Sequence, residues 1–557
     1  MKEQPARAQR PATERGIMAE YLIGVDVGTG SARAGVFDRT GRLLAVARRA
    51  IGMHREDGGI AEQSSEQVWG AVCASVREAV ANAGIDPATV AGIGFDATCS
   101  LVVRGRAGEA LPVGDPAHPG RDIIVWMDHR AVAQAERINA QGHPVLRYVG
   151  GRISPEMQTP KLLWLAENRP EIYARAAHFL DLTDFLTWRA TGALERSACT
   201  VTCKWTYLAH EGRWDDSYFR QIGLGDLADQ GFARIGQRVV DPGTALGHGL
   251  TAAAAAQMGL AVGTAVAAGL IDAHAGGVGT VAAGGDATTC LGYVFGTSSC
   301  TMTTTRAPVF VPGVWGPYFS AMVPGAWLNE GGQSAAGAAI DQLIRLHPAT
   351  DDAAALAHAA GRPLPEWLAD RALALAGGQA SAAARLADDL HVVPEFLGNR
   401  APFADPHARA VIMGQGMETG PDSLVALYVA GILGLGYGLR QIIATQAAHG
   451  APIASVSVSG GAGAHPLTRQ LLADATGCPV EITECAEPVL LGSAMLGAVA
   501  AGVYPDLQAA MPAMSRVATR CTPDPGAADV HAVRYAAFLS LQQTARDIRA
   551  AMAALPA

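Results

Sequence analysis

The sequence has few charged residues and no long run of lysine and arginine. Charged side chains make up 17% of the 557 residues, against about 25% in an average globular protein, and the formal net charge is −9. A surface that holds nucleic acid mainly through its phosphates needs clustered positive charge. We therefore expect no nucleic-acid partner, and any anionic ligand must be held locally.

Cysteine pairs with a C-x-x-C spacing and unbroken apolar spans are also lacking, and we expect no secretory leader. The nine cysteines are an odd number without a C-x-x-C pair, which argues against a disulfide framework or a metal knuckle and favours a cytoplasmic location. The N-terminal residues are polar, and we predict that residues 1–18 form a disordered extension. Glycine or proline interrupts the least polar stretches, so we expect no membrane span; these stretches are 250–271, 423–439 and 488–505.

Glycine, in contrast, is abundant. The 65 glycines are about 12% of the chain, against about 7% on average. They occur in short clusters flanked by apolar residues and not in periodic or serine-rich tracts, which indicates tight turns in a folded chain. The length allows two lobes of about 250 residues, each large enough to bury a core without a covalent staple.

Strand and helix patterns alternate in the first half of the chain. Residues 21–51 have the pattern of a hairpin followed by a third strand. Residues 64–84 have helical spacing between a serine that suits the N-cap and a terminal glycine, and residues 90–105 begin as a buried strand. This alternation predicts an α/β fold.

The pattern starts again in the second half. A second apolar hairpin is predicted at 290–305, and a strand, a glycine turn and a helix follow at 454–477. The alanine-rich segment 346–390 is predicted to be a helical insertion. The Ala/Gly-rich helix predicted at 488–502 is suited to packing inside a lobe or between the subunits of a homodimer.

Each hairpin carries a Gly-Thr turn that suits a phosphate group. Glycine lets backbone N–H groups approach phosphate oxygens, hydroxyl side chains add donors, and a nearby carboxylate can hold the waters of a metal ion. An ordinary hairpin turn is the alternative for either turn alone, but the recurrence favours a pair of phosphate-binding turns. The candidates are Asp26, Gly28, Thr29, Gly30, Ser31 and Arg33 in the first hairpin, and Gly296 and Thr297 in the second.

A third glycine cluster, at 459–465, lies between a predicted strand and a predicted helix. Glycines before a helix expose N–H groups at the positive end of the helix dipole, which suits a phosphate or a nucleoside. A plain strand-to-helix turn is the alternative. The candidate ligand-binding residues here are Gly460, Gly461 and His465.

A single carboxylate, Asp272, stands at the end of an apolar strand. A buried carboxylate is costly unless it is used, and a hydroxyl that attacks phosphorus needs only one acceptor for its proton. Asp272 is therefore the candidate base; the alternative is an aspartate that caps the helix after it. We interpret the nearby His274 as a satisfied neighbour and not as a metal ligand.

Several polar segments suit a polyol, whose hydroxyl groups bind charged and amide groups beside an aromatic wall. Lys204 interrupts an otherwise uncharged run, which points to a function. Asp128 has an alternative role, as the partner of Arg130 in a surface ion pair. The candidate segments are Ala97–Ser100, Trp126–Arg130, Lys204–Trp205 and Asn329–Gly332.

These motifs, in this order, resemble the FGGY carbohydrate kinases of the actin/hexokinase/Hsp70 superfamily, and most closely the D-ribulokinase branch. The resemblance runs from Tyr21 to about Tyr504. It implies an α/β fold of two ribonuclease-H-like lobes, 19–275 and 276–557, with a ligand cleft between them. The motifs that carry it include DVGTGSARAGVFD, FDATCSLVV, VWMDHRA, CKWTY, LIDAHAGGVG, FGTSSC, FLGNRAPFADP and SGGAGAHP.

The resemblance assigns roles to individual residues. It makes Asp272 the general base and places Asp26 and Asp272 near the metal. Gly337 and Asp341 fall in the ATP-binding part, and His465 replaces the asparagine that usually lies beside the adenine. The sugar-pocket positions are Thr98, Cys99, Trp126, Asp128, Lys204 and Glu330.

The implied reaction transfers the γ-phosphoryl group of ATP, with Mg²⁺, to the terminal hydroxyl of a pentulose. D-Ribulose, giving D-ribulose 5-phosphate, is the expected substrate. Ribitol, L-ribulose and xylulose are the alternatives, because they differ from it only in stereochemistry or in one carbonyl group. A nucleotide-dependent sensor of the same superfamily is the alternative that is not a kinase.

Overall fold

A computed structural model of the chain describes residues 20–555, so the predicted extension at 1–18 lies outside the described residues. Strands and helices alternate, as predicted. The strands of the first half are β1 (Tyr21–Val27), β2 (Ser31–Asp38), β3 (Leu43–Ala50), β4 (His54–Glu56), β5 (Ile60–Gln63), β6 (Val90–Ala97), β7 (Leu101–Arg104), β8 (Ile123–Ile124), β9 (His178–Asp181), β10 (Arg196–Ser197), β11 (Val239–Val240), β12 (Ala265–Val266) and β13 (Leu270–Ile271). Its helices are α1 (Ser65–Ala83), α2 (Val132–Gln141), α3 (Gln158–Asn168), α4 (Pro170–Arg175), α5 (Leu182–Thr191), α6 (Ala198–Trp205), α7 (Asp216–Ile222), α8 (Gly225–Asp229), α9 (Ala252–Met258) and α10 (Asp272–Val278).

The second half follows the same alternation. Its strands are β14 (Cys290–Phe295), β15 (Ser299–Thr305), β16 (Trp315–Phe319), β17 (Trp327–Gln333), β18 (His391–Val393), β19 (Val411–Met413), β20 (Ser455–Ser459), β21 (Val480–Thr483) and β22 (Val517–Cys521). Its helices are α11 (Gly337–Leu346), α12 (Thr350–Ala359), α13 (Leu364–Leu375), α14 (Pro421–Ala448), α15 (Pro466–Thr476), α16 (Pro488–Ala500), α17 (Leu507–Met514) and α18 (Ala528–Ala553).

The central sheet of the first half has the strand order β12-β6-β1-β2-β3. Strand β1 is antiparallel to β2 and parallel to β6, so Asp26 lies opposite Arg33 on one side and Asp96 on the other. The predicted hairpin with a third strand is confirmed. So is the predicted helix, which Ser64 caps and which ends at Gly84 in the left-handed conformation.

The sheet of the second half repeats this topology, in the order β16-β17-β15-β14-β20-β21-β22. Strand β14 is antiparallel to β15 and parallel to β20, just as β1 is to β2 and β6. The predicted hairpin, the strand-turn-helix unit and the helix at 488–502 are confirmed as β14–β15, β20–α15 and α16. The two Gly-Thr turns therefore connect equivalent strands of two similar sheets.

Helix α16 joins the two halves of the chain. It lies in the second half of the sequence but packs on β1 and β6 of the first sheet and on α10. Glycine permits this close contact, because a Cβ atom at Gly24 or Gly94 would overlap the carbonyl oxygen of Leu490 or Ser493. The strand that carries Asp26 is thus held directly against the second half.

Helix α14 is long and apolar enough to cross a membrane by length and composition alone, but 78% of its most apolar window is buried inside the structure. Its neighbours include α11, α13 and α15, and it lies in the core of the second half. This burial is typical of a core helix. Helices α12 and α13 occupy the segment 346–390, where a helical insertion is predicted.

Candidate active site

A cavity of about 330 Å³ lies between the two halves of the chain and brings many of the predicted site residues together. Its lining includes Ser298 of the second Gly-Thr turn as well as residues of the first half. The predicted residues that line it are Asp26, Gly28, Thr29, Arg33, Thr98, Cys99, Trp126, Lys204, Asp272 and Glu330.

Both Gly-Thr turns are closed by a hydrogen bond that the glycine N–H donates, and the second turn is one residue shorter than the first. Gly28 N–H donates to Ser31 O, and Gly296 N–H donates to Ser298 O, each at 3.0 Å. Within residues 20–555, the amides at the tips of both turns donate no hydrogen bond. They can therefore donate to phosphate oxygens. These amides belong to Thr29, Gly30, Thr297 and Ser298.

The first turn is fixed to the wall of the cavity through Thr29. The indole N–H of Trp126 donates to Thr29 Oγ1 at 3.0 Å, and the Gln63 amide donates to the Thr29 carbonyl at 2.8 Å. Both partners come from segments distant in sequence. The predicted phosphate-binding turn and the predicted sugar-binding wall are thus one connected structure.

Asp26 lies at the end of β1, and it is 3% exposed. Arg33 Nε donates to Asp26 Oδ2 at 2.8 Å, and Arg33 also bonds Glu487 at 2.7 Å. On the other side lies Asp96, which sequence reasoning missed; Ser493 Oγ donates to it at 2.6 Å. Burial raises the pKa of Asp96 well above its usual range, and the Asp26 carboxylate raises it further.

Asp272 is the first residue of α10 and faces the cavity. Its Oδ1 accepts a hydrogen bond from Ala273 N at 2.8 Å, whereas the N-cap position belongs to Ile271. Burial raises the pKa of Asp272 to about 6, and the nearby Asp26 carboxylate contributes to the rise. A carboxylate with this pKa is mostly ionised at neutral pH and can accept a proton.

Lys204 and Glu330 bring opposite charges to another part of the cavity. Lys204 is 4% exposed, and its Nζ lies 5.0 Å from the centre of the Trp315 ring. Burial alone would raise the pKa of Glu330, but the positive charges of Lys204 and His274 lower it to about 2. A fixed cation and a fixed anion beside an aromatic ring suit the hydroxyl groups of a sugar.

The lining residues that are absent from the predicted set include Glu156, Cys300, Trp315 and Arg400. Arg400 Nη1 lies 3.4 Å from Ser299 O and 3.6 Å from Cys300 Sγ. Trp315 and Arg400 belong to long segments around β16 and after β18, and the folded chain alone brings them to Lys204. The family-like motif FLGNRAPFADP was the only sequence signal that could have drawn attention to Arg400.

The predicted nucleotide-binding glycines gather around the second turn. Gly337 begins α11, and its N–H donates to Gly296 O at 2.9 Å. A Cβ at Gly460 would lie 2.5 Å from the carbonyl oxygen of Phe295. The third glycine cluster is thus in direct contact with the second hairpin, as one nucleotide site would require, although none of these glycines lines the cavity described above.

His465, Gly461 and Asp341 also lie outside that lining. His465 caps α15, since its Nδ1 accepts from Leu467 N at 3.1 Å, and its Nε2 lies 3.0 Å from Asp370 Oδ1. Gly461 starts a short helical turn before this cap, and Asp341 is exposed on α11. The His465 ring thus acts as the N-terminal cap of α15.

The structure does not place Asp128 in the cavity, which corrects its predicted place in the sugar pocket. Asp128 is fully buried and is not part of the cavity lining. Its Oδ1 accepts from Arg130 Nε at 2.8 Å, and its Oδ2 accepts from Ala61 N and Arg130 at 2.7 Å each. The carboxylate is therefore already bonded, in an ion pair that is buried and not at the surface.

Asp128→Asn is expected to lower stability and leave sugar affinity unchanged. The variant removes one of the two carboxylates that pair with Arg130 in a buried site, and the loss of charged hydrogen bonds there costs about 2 kcal/mol. Thermal unfolding should show a lower Tm, and steady-state kinetics a sugar KM within about twofold of wild type. A raised sugar KM with an unchanged Tm would return Asp128 to the sugar site.

Comparison with known proteins agrees with this geometry. The N-terminal domain of the FGGY family of carbohydrate kinases matches residues 21–279, and its C-terminal domain matches residues 291–501. The human protein named FGGY carbohydrate kinase domain-containing protein is 44% identical over 543 residues, which are 96% of this chain and 98% of that protein. A D-ribulokinase from Saccharomyces cerevisiae is 38% identical over 514 residues, covering 86% of this chain and 72% of the yeast protein.

Solved structures show the same fold. A xylulose kinase from Rhodospirillum rubrum superposes with a TM-score of 0.78 at 23% identity, covering 95% of this chain and 99% of that one. The predicted α/β fold with two kinase lobes is thus confirmed, and so is the resemblance to the ribulokinase branch. Because the two family domains match most of the sequence, the chain belongs to the FGGY family of carbohydrate kinases.

Proposed function

We propose that the chain transfers the γ-phosphoryl group of ATP to the terminal hydroxyl of D-ribulose, giving D-ribulose 5-phosphate. One observation carries the proposal: Asp272 shares a cavity with the Lys204 and Glu330 charges and with the first Gly-Thr turn. This reaction needs three parts: a proton acceptor, polar groups that bind the sugar, and amides that bind the phosphate groups. The similarity to the yeast D-ribulokinase supports this choice of sugar.

The proposed sugar site lies between Lys204 and Glu330. The ammonium group can donate to the carbonyl or hydroxyl oxygens of the ketose, and the carboxylate can accept from its hydroxyl groups. Trp126 and Trp315 line the same cavity and provide apolar surface for the carbon chain. Thr98 and Cys99 complete this side of the proposed pocket. In this arrangement the terminal hydroxyl would point toward Asp272.

The proposed phosphate site uses backbone N–H groups of the two turns, because the cavity contains no cluster of lysines among its described lining residues. Asp26 and Asp272 fit Mg²⁺, whose preferred ligands are carboxylate oxygens, waters and substrate phosphates. Arg33 bonds Oδ2 of Asp26, and Ala273 N–H bonds Oδ1 of Asp272, so each carboxylate keeps a second oxygen. When bound, the ion would neutralise charge on the phosphate oxygens.

The chemistry proposed for the chain itself has one proton transfer. Asp272 takes the proton from the terminal hydroxyl as its oxygen bonds to the γ-phosphorus, while the bond from phosphorus to the leaving ADP oxygen breaks. The amides of the turns stabilise the charge that spreads over the phosphoryl oxygens. Since the turns and Asp272 come from both halves of the chain, closure of the cleft would exclude water as a competing acceptor.

A panel of acceptors tests the substrate. D-Ribulose, L-ribulose, D-xylulose and ribitol should be compared at equal concentrations with coupled detection of ADP. We expect the highest kcat/KM for D-ribulose. A higher kcat/KM for ribitol or another pentulose would reject the proposed sugar while leaving a carbohydrate kinase, and ADP release that no sugar stimulates would reject the proposed transfer.

Activity is also expected to depend on pH through Asp272. Its raised pKa of about 6 means that the carboxylate gains a proton, and can no longer act as a base, as the pH falls through about 6. The kcat/KM for the sugar should therefore fall about tenfold per pH unit below that value. A pH–rate profile at saturating ATP measures this limb, and a flat profile down to about pH 5 would contradict the role of Asp272.

A further inference from the structure

Three hydrogen-bonded side chains run back from the proposed sugar site, and two of them, Cys199 and His274, have no role in the mechanism above. Cys199 Sγ is 3.1 Å from His274 Nδ1, and His274 Nε2 is 3.4 Å from Glu330 Oε2. Cys199 and His274 are fully buried, and Glu330 is 6% exposed at the edge of the cavity. This row of side chains thus runs from the protein interior to a carboxylate that lines the cavity.

The three residues come from the elements that build the site. Cys199 is on α6, five residues before Lys204, and His274 is on α10, two residues after Asp272. Glu330 is on β17 of the other half of the chain. The His274 ring therefore contacts one residue from each side of the cleft.

The contacts fix the orientation of the ring. A carboxylate at Nε2 requires that this nitrogen carries a hydrogen, so it donates to Glu330. The backbone N–H of Ile271 donates to Cys199 Sγ at 3.3 Å, which holds the sulfur in place opposite Nδ1. Because both nitrogens have partners, the imidazole cannot flip or rotate without losing one of them.

A metal site is the competing explanation for this cluster, since one ligand atom from each of Cys199, Cys203 and His274 lies within 4.8 Å of the others. Zinc bond lengths and a tetrahedral angle would separate a ligating sulfur and nitrogen by about 3.5 Å, and structural zinc takes four ligands. The observed separation of 3.1 Å is that of a hydrogen bond. Within residues 20–555, this cluster also offers only three ligand residues, whereas structural zinc takes four ligands.

We propose that Cys199 and His274 are positioning residues, which hold the Glu330 carboxylate in the orientation that binds the sugar. This inference rests on the proposed function, because it takes sugar binding by Glu330 as its premise. A bond to a carboxylate that is held by a fixed donor is stronger and better directed than one to a mobile side chain. Loss of the donor should therefore weaken sugar binding and spare ATP binding.

His274→Gln and His274→Asn form a matched pair that tests the proposal in the full-length chain. The amide of Gln can reach the position of Nε2 and donate to Glu330, whereas the shorter amide of Asn reaches only the position of Nδ1. With D-ribulose and ATP varied in turn, we expect the sugar KM of His274→Asn to rise about tenfold or more. For His274→Gln we expect a rise of about threefold or less, and the ATP KM should stay within about twofold in both. Equal effects, or a larger effect in His274→Gln, would overturn the proposal.

Substitutions of Cys199 test the buried end of the row Cys199–His274–Glu330. They remain informative if a His274 variant does not fold. Cys199→Ser keeps a hydrogen-bonding partner for the ring and should leave the sugar KM within about twofold. Cys199→Ala removes that partner and should raise the sugar KM about three- to tenfold. Indistinguishable sugar KM values for the two would contradict the positioning role, as would one equivalent of zinc in the purified wild-type protein that is lost in Cys199→Ala.

Glu330→Gln distinguishes a failure of the positioning role from a failure of the proposed function on which it rests. The variant should raise the sugar KM at least as much as His274→Asn. If Glu330→Gln leaves the sugar KM unchanged, the proposed sugar site is wrong. If Glu330→Gln raises it and His274→Asn does not, the sugar site stands and the positioning role is wrong.

Discussion

Asp272→Asn is expected to lower kcat by about three orders of magnitude, the largest effect that we predict. A general base contributes roughly 10²- to 10⁴-fold to a rate, and the Asn amide has no basic site for the proton of the sugar hydroxyl. The change preserves the size of the side chain, and the Asn carbonyl can still accept from Ala273 N–H. We therefore expect the fold to be retained, and also the affinity for ATP, because Asp26 still offers a carboxylate oxygen to Mg²⁺.

Single-turnover kinetics and calorimetric titration with ATP measure these two properties separately. Asp352→Asn is the matched control, because Asp352 is an exposed carboxylate in the first turn of α12 and lies outside the cavity. It should leave kcat within about twofold. A turnover number for Asp272→Asn near that of wild type would remove Asp272 as the base, whereas loss of ATP binding would give it a role in the nucleotide site.

Lys204→Met is expected to raise the sugar KM by about 30- to 100-fold. Burial alone would lower the pKa of Lys204, but nearby acidic groups, Glu330 among them, keep it well above its usual value, so the side chain is charged. Among the described residues, no carboxylate oxygen lies within ion-pair distance of its Nζ, so the ammonium group can bind a ligand. Hydrogen bonds from a buried cation to an oxygen contribute about 1.5–3 kcal/mol.

Methionine keeps the length of the Lys204 side chain and its packing against Trp315, so the change tests charge and not volume. The KM for ATP should stay within about twofold, and the ratio of the two KM values is the quantity to measure. The reverse pattern, with a higher KM for ATP and an unchanged sugar KM, would assign Lys204 to the phosphate groups.

Local patterns predict much of the first hairpin and its chemistry. Alternating apolar residues define β1 and β2, and the tight turn between them sets the register, so Asp26 and Arg33 had to face each other. The pairing of Asp26 with Asp96 depends on β6, which lies some 70 residues later and joins the sheet as a parallel neighbour. A sequence pattern can predict a strand, but it does not show which other strand will pair with it in the sheet.

The same limit explains the residues that were misplaced or missed in the cavity. Asp128 and Arg130 form the ion pair that their spacing allows, but the sequence does not reveal that Glu62 and Ala61 N–H bury it away from the cleft. Trp315 and Arg400 reach Lys204 only because the second sheet closes over the first half. Their positions depend on packing between elements that are far apart in the chain.

The residues predicted to bind the nucleotide show a different limit of prediction from sequence. Glycine clusters predict close approach of backbones, and Gly337 and Gly460 do approach the strand and turn at Phe295–Thr297. The direction of a side chain is harder to predict, because His465 suits both a helix cap and a ligand contact. Its cap hydrogen bond to Leu467 N is a local contact that any strand-to-helix turn could require.

The most direct test of the proposed function is the identity of the product formed from D-ribulose and ATP. Phosphorus and carbon NMR of the reaction mixture would locate the new phosphate ester on the sugar. We predict D-ribulose 5-phosphate, one ADP per phosphorylated sugar, and no detectable product with Asp272→Asn in the same time. An ester at C1, or ADP and inorganic phosphate without a phosphorylated sugar, would contradict the proposed orientation of the sugar between Lys204, Glu330 and Asp272.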